Sequence, residues 1–183
     1  MPPIKQENAV FSGKDTMEHE YYMRRAIALA REAAAQGEIP VGCVIVRDGE
    51  IIAAGRNRRE EKQSAASHAE MEAIAQANEA LHSWRLDDCD LYVTLEPCPM
   101  CAGAILNARI RRVFYGARDD AMGACGGVLN LYMERFPRTP QLVGNVCGGE
   151  CRAVIQAFFN ELRAKKHDKE SVVTDIVDNF TEF

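Results

Sequence analysis

The chain has 183 residues, of which 47% are hydrophobic and 27% are charged, a balance typical of one globular domain with its own core. Seven cysteines without an export signal favour reduced thiols over a disulfide framework, and no run approaches the roughly 18 apolar residues of a membrane span. We therefore predict a soluble, cytoplasmic protein. The net charge of −5 does not exclude a nucleic acid partner, because residues 1–20 and 167–183 carry −2 and −4 of it and leave +1 on the rest.

The first predicted element is a helix. Residues 1–16 are polar and show no clear periodicity, which is typical of a flexible leader. Asp15 with Glu18 three residues later resembles a helix cap, and apolar residues then recur at helical spacing up to Gly37. The pattern predicts a helix over residues 16–36.

Two strands and a tight turn come next. Short apolar runs cover residues 41–46 and 51–55, and Asp48 and Gly49 lie between them. An Asp-Gly pair between two such runs is a strong hairpin signal. The two strands should therefore be antiparallel neighbours.

The middle of the chain predicts helices that alternate with strands. Ser67 can cap a helix, and Pro99 suits the first turn of another. The predicted elements are helices over 68–80 and 99–108 and strands over 91–95 and 113–115.

The last third predicts a Gly-rich loop that opens into a short helix, then a strand and a long helix. The short helix includes 128–133, the strand covers 142–146, and the long helix covers 148–166. An acidic tail then occupies 167–183. We predict a single domain over residues 17–166, between the leader and this tail.

Helices interleaved with strands after an initial hairpin indicate a mixed sheet with helices on both faces. The predicted fold class is α/β, as a three-layer α/β/α sandwich whose mixed sheet has mostly five strands. No internal repeat or low-complexity block interrupts this order.

Two short motifs carry the chemistry of the chain. The sequence HAE begins at His68 and ends at Glu70, and the sequence PCPMC contains Cys98 and Cys101. Thiols at positions i and i+3 of a helix start lie on one side, and the helix N-terminus favours thiolate over thiol. One imidazole and two thiolates suit a zinc ion and leave its fourth position to water. Glu70 would lie beside this water without ligating the metal.

Each motif alone has another interpretation. A lone C-x-x-C can be a redox pair, and a lone His68 can cap a helix or pack in a core. The combination of H-x-E with P-C-x-x-C at two predicted helix starts is far more specific for a metal. Thiolates with imidazole favour zinc, although iron occupies similar sites. Cys125, Cys147 and Cys151 lack an evident fourth ligand for a second metal site, and we expect them to be buried thiols.

The two motifs resemble those of the zinc-dependent nucleobase deaminases. More of the chain, from about residue 17 to 166, is similar to the bacterial tRNA-specific adenosine deaminases. The similar segments are GEIPVGCVIV from Gly37, GRN from Gly55, LYVTLEP from Leu91 and GARD from Gly116. This resemblance implies a cytidine deaminase-like fold.

The resemblance also implies an activity, the hydrolytic deamination of the wobble adenosine of a tRNA anticodon loop to inosine. It implies one zinc ion per chain, held by His68, Cys98 and Cys101. Glu70 would deprotonate the zinc-activated water, which attacks C6 of the purine, and would then protonate the ring nitrogen and the departing amine.

For substrate and partners, the resemblance places a base-contacting amide at Asn57 and backbone groups around Ala69 and Cys98 against the base. Asn57 could instead be a turn residue after the second strand. The implied partners are a tRNA, first of all an arginine tRNA, and a second copy of the chain in a homodimer.

The remaining aromatic and basic residues leave alternatives open. Phe158 and Phe159 either pack in the core or flank a base. Basic clusters at 56–59, 109–112 and 163–166 either contact phosphates together or face solvent separately.

Two competing functions share the metal motifs. One is a deaminase of a free base or nucleoside, of the guanine or cytosine type. The parts of the chain outside the site separate it from the tRNA branch, which uses its terminal helix and basic edge to hold RNA. A non-catalytic zinc-binding subunit typically lacks the proton shuttle, whereas Glu70 is present.

Overall fold

A computed structural model of the chain describes the backbone of residues 13–180 and the side chains of residues 15–165. In this part of the chain no helix is both long and apolar enough to cross a lipid bilayer. The elements are α1 (Gly13–Ala35), β1 (Gly42–Arg47), β2 (Glu50–Arg56), α2 (Arg59–Lys62), α3 (Ala69–Leu81), β3 (Asp90–Leu95), α4 (Pro99–Ala108), β4 (Arg112–Ala117), a 3-10 helix (Leu131–Met133), β5 (Gln141–Val143) and α5 (Gly148–Phe180).

The five strands form one mixed sheet in the order β2-β1-β3-β4-β5. Strand β1 is antiparallel to both β2 and β3, whereas β4 is parallel to β3 and to β5. Parallel neighbours need crossover connections, and α4 supplies the one between β3 and β4. The predicted α/β class with a mixed five-stranded sheet is confirmed.

The hairpin between β1 and β2 has the predicted two-residue turn. Asp48 and Gly49 have φ angles of 53° and 81°, and two successive residues with positive φ are the signature of a type I′ turn. The Tyr22 hydroxyl of α1 donates a hydrogen bond of 2.7 Å to the Gly49 carbonyl oxygen. This contact ties the turn to the first helix.

Helices cover both faces of the sheet and divide the core into two clusters. Helices α1 and α5 pack on one face, where Met23 and Phe114 are fully buried. Helices α3 and α4 pack on the other face, with Ala73 and Ile105 in the interior. The predicted three layers are therefore present.

Two glycines let helices approach the hairpin strands at backbone distance. A Cβ at Gly42 would lie 2.0 Å from the Ala26 carbonyl oxygen of α1, and a Cβ at Gly55 would lie 2.3 Å from the Ala69 carbonyl oxygen of α3. Any larger residue at either position would push the helix off the sheet. The start of α3 is thus fixed against β2.

Two helix starts differ from the prediction. Helix α1 already includes Gly13, the first described residue, so Asp15 lies inside the helix and does not cap it. The cap position of α3 belongs to His68, not to Ser67, and the His68 side chain makes no capping hydrogen bond. The reason is that this imidazole is directed toward two thiols across the site.

The C-terminal third departs most from the prediction. The short helix is a single 3-10 turn at 131–133, because the Asn130 side chain accepts from the Tyr132 N–H and caps it. Strand β5 ends at Val143, since Asn145 turns the chain with a φ of 65°. Helix α5 continues past 166 to Phe180, and no glycine or proline interrupts its sequence after 149.

The predicted domain limits are a separate matter. The boundary at residue 166 falls inside α5, and residues 1–12 of the predicted leader lie outside the described part of the chain. The limits of the domain at 17 and 166 stay a prediction.

Candidate active site

Two helix N-termini meet at one point beyond the carboxyl end of β3. His68 is the cap residue of α3 and Cys98 is the cap residue of α4, both with extended backbone angles. Cys101 follows in the first turn of α4, after Pro99 at the first helical position. The structure therefore brings the three predicted metal-binding side chains to one place.

The spacing of these side chains fits a tetrahedral metal. The His68 Nδ1 atom lies 3.7 Å from the Cys98 Sγ atom and 3.5 Å from the Cys101 Sγ atom. Ligands held at 2.0–2.3 Å from a tetrahedral zinc ion are about 3.5 Å apart. Among the described residues this is also the one group of three metal-binding side chains whose ligand atoms all lie within 4.8 Å of one another. The donor set and its geometry fit zinc.

The pKa values of the Cys98 and Cys101 thiols shift in opposite directions, because the two sulfurs are hydrogen-bonded to each other. Hydrogen bonds from Cys101 and His68 lower the pKa of Cys98 to about 4, despite its partial burial. The same contact between the sulfurs, together with burial, raises the pKa of the Cys101 thiol. A cation held by both thiolates displaces the proton of this thiol, so metal affinity rises with pH.

Glu70 lies beside the ligand cluster with its carboxyl group removed from water. The residue is 3% exposed in the first turn of α3. Burial raises the pKa of Glu70 to about 7. A carboxyl group with such a pKa can both take up a proton and return it near neutral pH.

A cavity of about 450 Å³ opens in front of these groups, a volume in the range of small-molecule sites. Its lining mixes the ligand cluster and Glu70 with apolar side chains, among them Ile39 and Met122. Asn57 and Ala69, the predicted substrate-contacting residues, line the same cavity. The predicted catalytic, substrate-binding and metal-binding residues therefore lie around one cavity.

The side chain of Asn57 has one satisfied end and one unsatisfied end. Its Nδ2 atom lies 3.4 Å from the Oε2 atom of Glu38, a buried acid that precedes β1. Its Oδ1 atom is buried and has no hydrogen-bond partner. The backbone N–H of Asn57 donates to the Val41 carbonyl oxygen at 3.0 Å, so the residue is held at the end of the hairpin.

Glu96, the residue after β3, holds the Gly-rich loop over the cavity. It is 2% exposed, and its Oε1 atom accepts from the Cys125 and Gly127 backbone N–H groups at 2.8 and 2.7 Å. Its Oε2 atom accepts from the Asp119 N–H at 3.1 Å. The carboxylate thereby fixes the loop that brings Asp119 and Met122 to the cavity wall.

Acidic side chains pair with much of the charge in the basic clusters at 56–59 and 109–112, whereas the Lys166 side chain of the third cluster lies outside the described residues. Arg56 and Arg58 both pair with Glu61, whereas Arg59 lines the cavity. In the second cluster, Arg111 and Arg112 both pair with Asp90 at the opposite end of the sheet.

Among the side chains that the structure describes, those of the last helix and of the other cysteines do not contribute to the cavity wall. Phe158 is buried at 8% exposure and Phe159 is 39% exposed, and neither lines the cavity. The seven cysteines, all within the described residues, are free. Cys125 and Cys151 are buried as expected, whereas Cys147 is only partly buried.

Sequence reasoning did not identify several residues of this site. Glu38 and Asp119 lie in segments that carry the family resemblance, but nothing in their spacing marks them as part of a pocket. Glu96 directly precedes PCPMC, and a carboxylate between a buried strand and a metal motif was the available signal. Met122 carried no such signal, whereas Arg59 belongs to the basic cluster at 56–59 that the sequence offered for phosphate contact.

Comparisons with known proteins agree with the geometry. Residues 16–117 match the family described as the cytidine and deoxycytidylate deaminase zinc-binding region. The tRNA-specific adenosine deaminase of Bacillus subtilis (strain 168) is 48% identical over 148 residues, which cover 80% of this chain and 92% of that protein. A protein of the same name from Streptococcus pyogenes serotype M1 is 42% identical and covers 89% and 96%.

Solved structures show the same relationship. One, from work on A-to-I editing by tRNA:A34 deaminases at the wobble position, has a TM-score of 0.71 at 40% identity over 73% of this chain and 98% of that one. The chain belongs to the zinc-binding cytidine and deoxycytidylate deaminase family and, within it, to the tRNA-specific adenosine deaminases.

Proposed function

We propose that this chain hydrolyses the wobble adenosine of a tRNA anticodon to inosine and releases ammonia. The observation that carries the proposal is the placement of Glu70, which is buried beside a tetrahedral set of one imidazole and two thiolates at the cavity wall. The similarity to proteins named tRNA-specific adenosine deaminase supports adenosine in tRNA as the substrate.

His68, Cys98 and Cys101 hold the zinc ion in this proposal. When bound, zinc supplies a Lewis acid that lets a water molecule act as a nucleophile near neutral pH. No fourth side chain of the described residues has a ligand atom within 4.8 Å of all three of these donors.

Glu70 moves the protons of the reaction. It takes a proton from the attacking water and delivers it to N1 of the purine, which makes C6 open to addition of the hydroxide. It then carries the second proton of that water to the 6-amino group, which leaves as ammonia. The consumed water thus supplies the oxygen of inosine and the extra hydrogens of ammonia and of N1.

The cavity wall positions the base. Asn57 offers a polar amide, and the backbone at Ala69 lies at the start of α3 beside Glu70. Arg59 on the cavity wall supplies a cation for a phosphate next to the target nucleotide. A free base would bring no phosphate to this residue.

The finer assignments follow the family resemblance. They are an arginine tRNA as the substrate, a homodimer as the active form and the cytoplasm as the location. A homodimer predicts a mass of about twice 20.3 kDa in light scattering after gel filtration.

The decisive experiment compares substrates. The zinc-loaded protein is incubated with an arginine tRNA transcript that has A at the wobble position, and inosine is read as G after reverse transcription. The matched control is the same transcript with G at that position. We expect inosine at the wobble position and one ammonia for each inosine formed.

The second candidate is a guanine deaminase. A solved Bacillus subtilis protein of that description is 37% identical, with a TM-score of 0.53 over 65% of this chain and 87% of that one. Parallel incubations with guanine and cytidine test this alternative. Ammonia from guanine without inosine in the tRNA would replace the proposed function by this one.

A further inference from the structure

Glu38 is a buried acid that contacts the site but does not line the cavity. It is 1% exposed and lies in the segment between α1 and β1. Its Oε1 atom accepts a 2.8 Å hydrogen bond from the backbone N–H of Glu61, in α2. Its Oε2 atom faces the Nδ2 atom of Asn57 at 3.4 Å. The two carboxylate oxygens therefore hold two residues on the same side of the pocket, Glu61 and Asn57.

An ionised carboxylate only accepts hydrogen bonds, so it determines which way the neighbouring amide faces. The Nδ2 end of Asn57 must turn toward Glu38, which leaves the Oδ1 end on the other side. Asn57 lines the cavity whereas Glu38 does not. The Oδ1 atom is also buried without a donor, and a buried acceptor in this state gains most from a donor that a bound molecule brings.

We infer that Glu38 is a positioning residue that holds Asn57 with its carbonyl oxygen toward the substrate, where it accepts a hydrogen bond from the 6-amino group of adenine. This inference rests on the proposed function. Pairing of an asparagine amide with the N6 edge of adenine is a recurrent geometry in protein–nucleic acid contacts.

The consequence is a preference for substrate over product. Adenine has a hydrogen-bond donor at C6, whereas inosine has an acceptor oxygen there. A fixed acceptor at Asn57 attracts the first and repels the second. Glu38 therefore favours release of the 6-oxo product without touching it.

The variant Glu38→Gln tests this with almost no change in shape. Its Oε1 atom keeps the bond from the Glu61 N–H, so its new NH₂ group faces Asn57. Two NH₂ groups cannot pair, and Asn57 must rotate to accept, which turns its NH₂ group toward the cavity. The pocket then offers a donor where the native protein offers an acceptor.

The double variant Glu38→Gln with Asn57→Asp restores the native polarity. The amide introduced at position 38 donates to one oxygen of the carboxylate introduced at position 57, and the other oxygen faces the cavity as an acceptor. The buried negative charge moves from one position to its neighbour, so the total charge equals that of the native protein. The control is Glu72→Gln, a partly exposed acid that pairs with Lys62 and does not line the cavity.

The measurements are kcat and KM on an anticodon stem-loop with A at the wobble position, and the inhibition constant of the same loop with inosine. We expect Glu38→Gln to lower kcat/KM at least about tenfold, the effect of one lost hydrogen bond. The inosine loop should at the same time inhibit more strongly relative to KM. The double variant should recover most of the lost kcat/KM and most of the lost preference for the adenosine loop over the inosine loop. Glu72→Gln should behave as the native protein.

Zinc content and the unfolding midpoint of each variant exclude a folding defect. Unchanged kcat/KM and unchanged A-to-inosine preference in Glu38→Gln would overturn the inference, as would a double variant no better than the single one. If the native protein does not deaminate the loop, the proposed function fails. Equilibrium binding of the A and inosine loops to the native protein and to Glu38→Gln then decides the inference separately.

Discussion

Each end of the parallel strands has a cavity with a buried acidic side chain, but the two acids differ in whether a cationic side chain pairs with them. At the start of β3, Asp90 is 5% exposed and accepts from both Arg111 and Arg112 in a cavity of about 340 Å³. At the other end, Glu70 is 3% exposed, and no arginine or lysine of the described residues pairs with it.

Pairing with cationic side chains distinguishes a buried acid with a structural role from one that can react. A carboxylate neutralised on both oxygens stabilises the fold and has no capacity left for a ligand. Burial without a paired cation raises the pKa of Glu70, which remains available for proton transfer. The Oδ1 atom of Asn57, at the same end of the sheet, is buried without a hydrogen-bond partner. Both of these groups lie at the end where the chemistry is proposed.

The largest expected effect is on activity at the unpaired acid. Glu70→Gln removes the group that moves protons, so we expect deamination to fall by about 10²–10⁴-fold. Zinc content, measured by mass spectrometry, and the unfolding midpoint should not fall, because a neutral amide is easier to bury than a carboxylate. Glu72→Gln, two residues along the same helix, serves as the control with normal turnover. Normal turnover in Glu70→Gln would remove the distinction drawn between the two ends.

The next effect is on stability at the paired acid. Asp90→Asn leaves two guanidinium groups without their carboxylate, and we expect the free energy of unfolding to fall by about 1–3 kcal/mol. This is less than the loss for a fully buried pair, because the Arg111 side chain is 50% exposed. Urea unfolding measures the loss, and kcat should stay within about twofold. The control is Asp48→Asn, whose side chain is 87% exposed; equal losses in both variants would contradict the account.

A smaller effect, on substrate affinity, is expected at Glu96, which has a structural role at the same end of the sheet as Glu70. Glu96→Gln places an NH₂ group against the Asp119 N–H, which loses one charge-assisted hydrogen bond of about 1–2 kcal/mol. The loop would then shift, and KM for the anticodon loop should rise by several-fold with less change in kcat. Steady-state kinetics with urea unfolding separate the two. A fall in kcat equal to that of Glu70→Gln would show that Glu96 acts in the proton transfer.

The smallest effect is a pH dependence of stability that His19 causes at the end of the sheet where Asp90 lies. Burial lowers the pKa of His19 below its ordinary 6.5, and its Nδ1 atom lies 2.8 Å from the Tyr92 hydroxyl oxygen. Because the folded pKa is the lower one, the stabilisation is complete above about pH 6.5 and is lost as pH falls toward the folded pKa. The charged groups that face His19 are Arg112, Glu18, Asp90 and Asp15.

Unfolding free energies between pH 5 and pH 8 measure this effect. His19→Gln should make the slope across this range shallower when each protein is compared with its own stability at pH 8, where loss of the stacking on Phe114 lowers the stability of the variant by a pH-independent amount. A slope equal to that of the native protein would assign the pH dependence to other groups.

Much of the fold was predictable because local signals agree with it. The Asp48 and Gly49 turn, the alternation of helices and strands and Pro99 at a helix start all have short-range causes that the sequence displays. The length of α5 was not predicted, because the expectation of a tail at residue 167 relied on charge and not on an interruption of the helix.

The metal-binding residues were predictable from motif spacing, but the residues that orient the pocket were not. The carboxylates of Glu38 and Glu96 accept hydrogen bonds from groups that are distant in sequence. Glu61, whose N–H donates to Glu38, lies 23 residues away, and Gly127, whose N–H donates to Glu96, lies 31 residues away. Such pairings depend on how the sheet and loops are arranged in space. Only the three-dimensional structure reveals them.

The absent side chain at Gly55 makes the geometry of the candidate active site depend on the sheet. Helix α3 begins one residue after His68 and lies against β2 at a distance that leaves no room for a methyl group. Cys98 and Cys101, in contrast, take their position from β3, two strands away in the sheet. A change in the twist between these two strands would therefore change the distances between the three donor atoms. In this way the sheet helps to set the size of the ion that the site prefers.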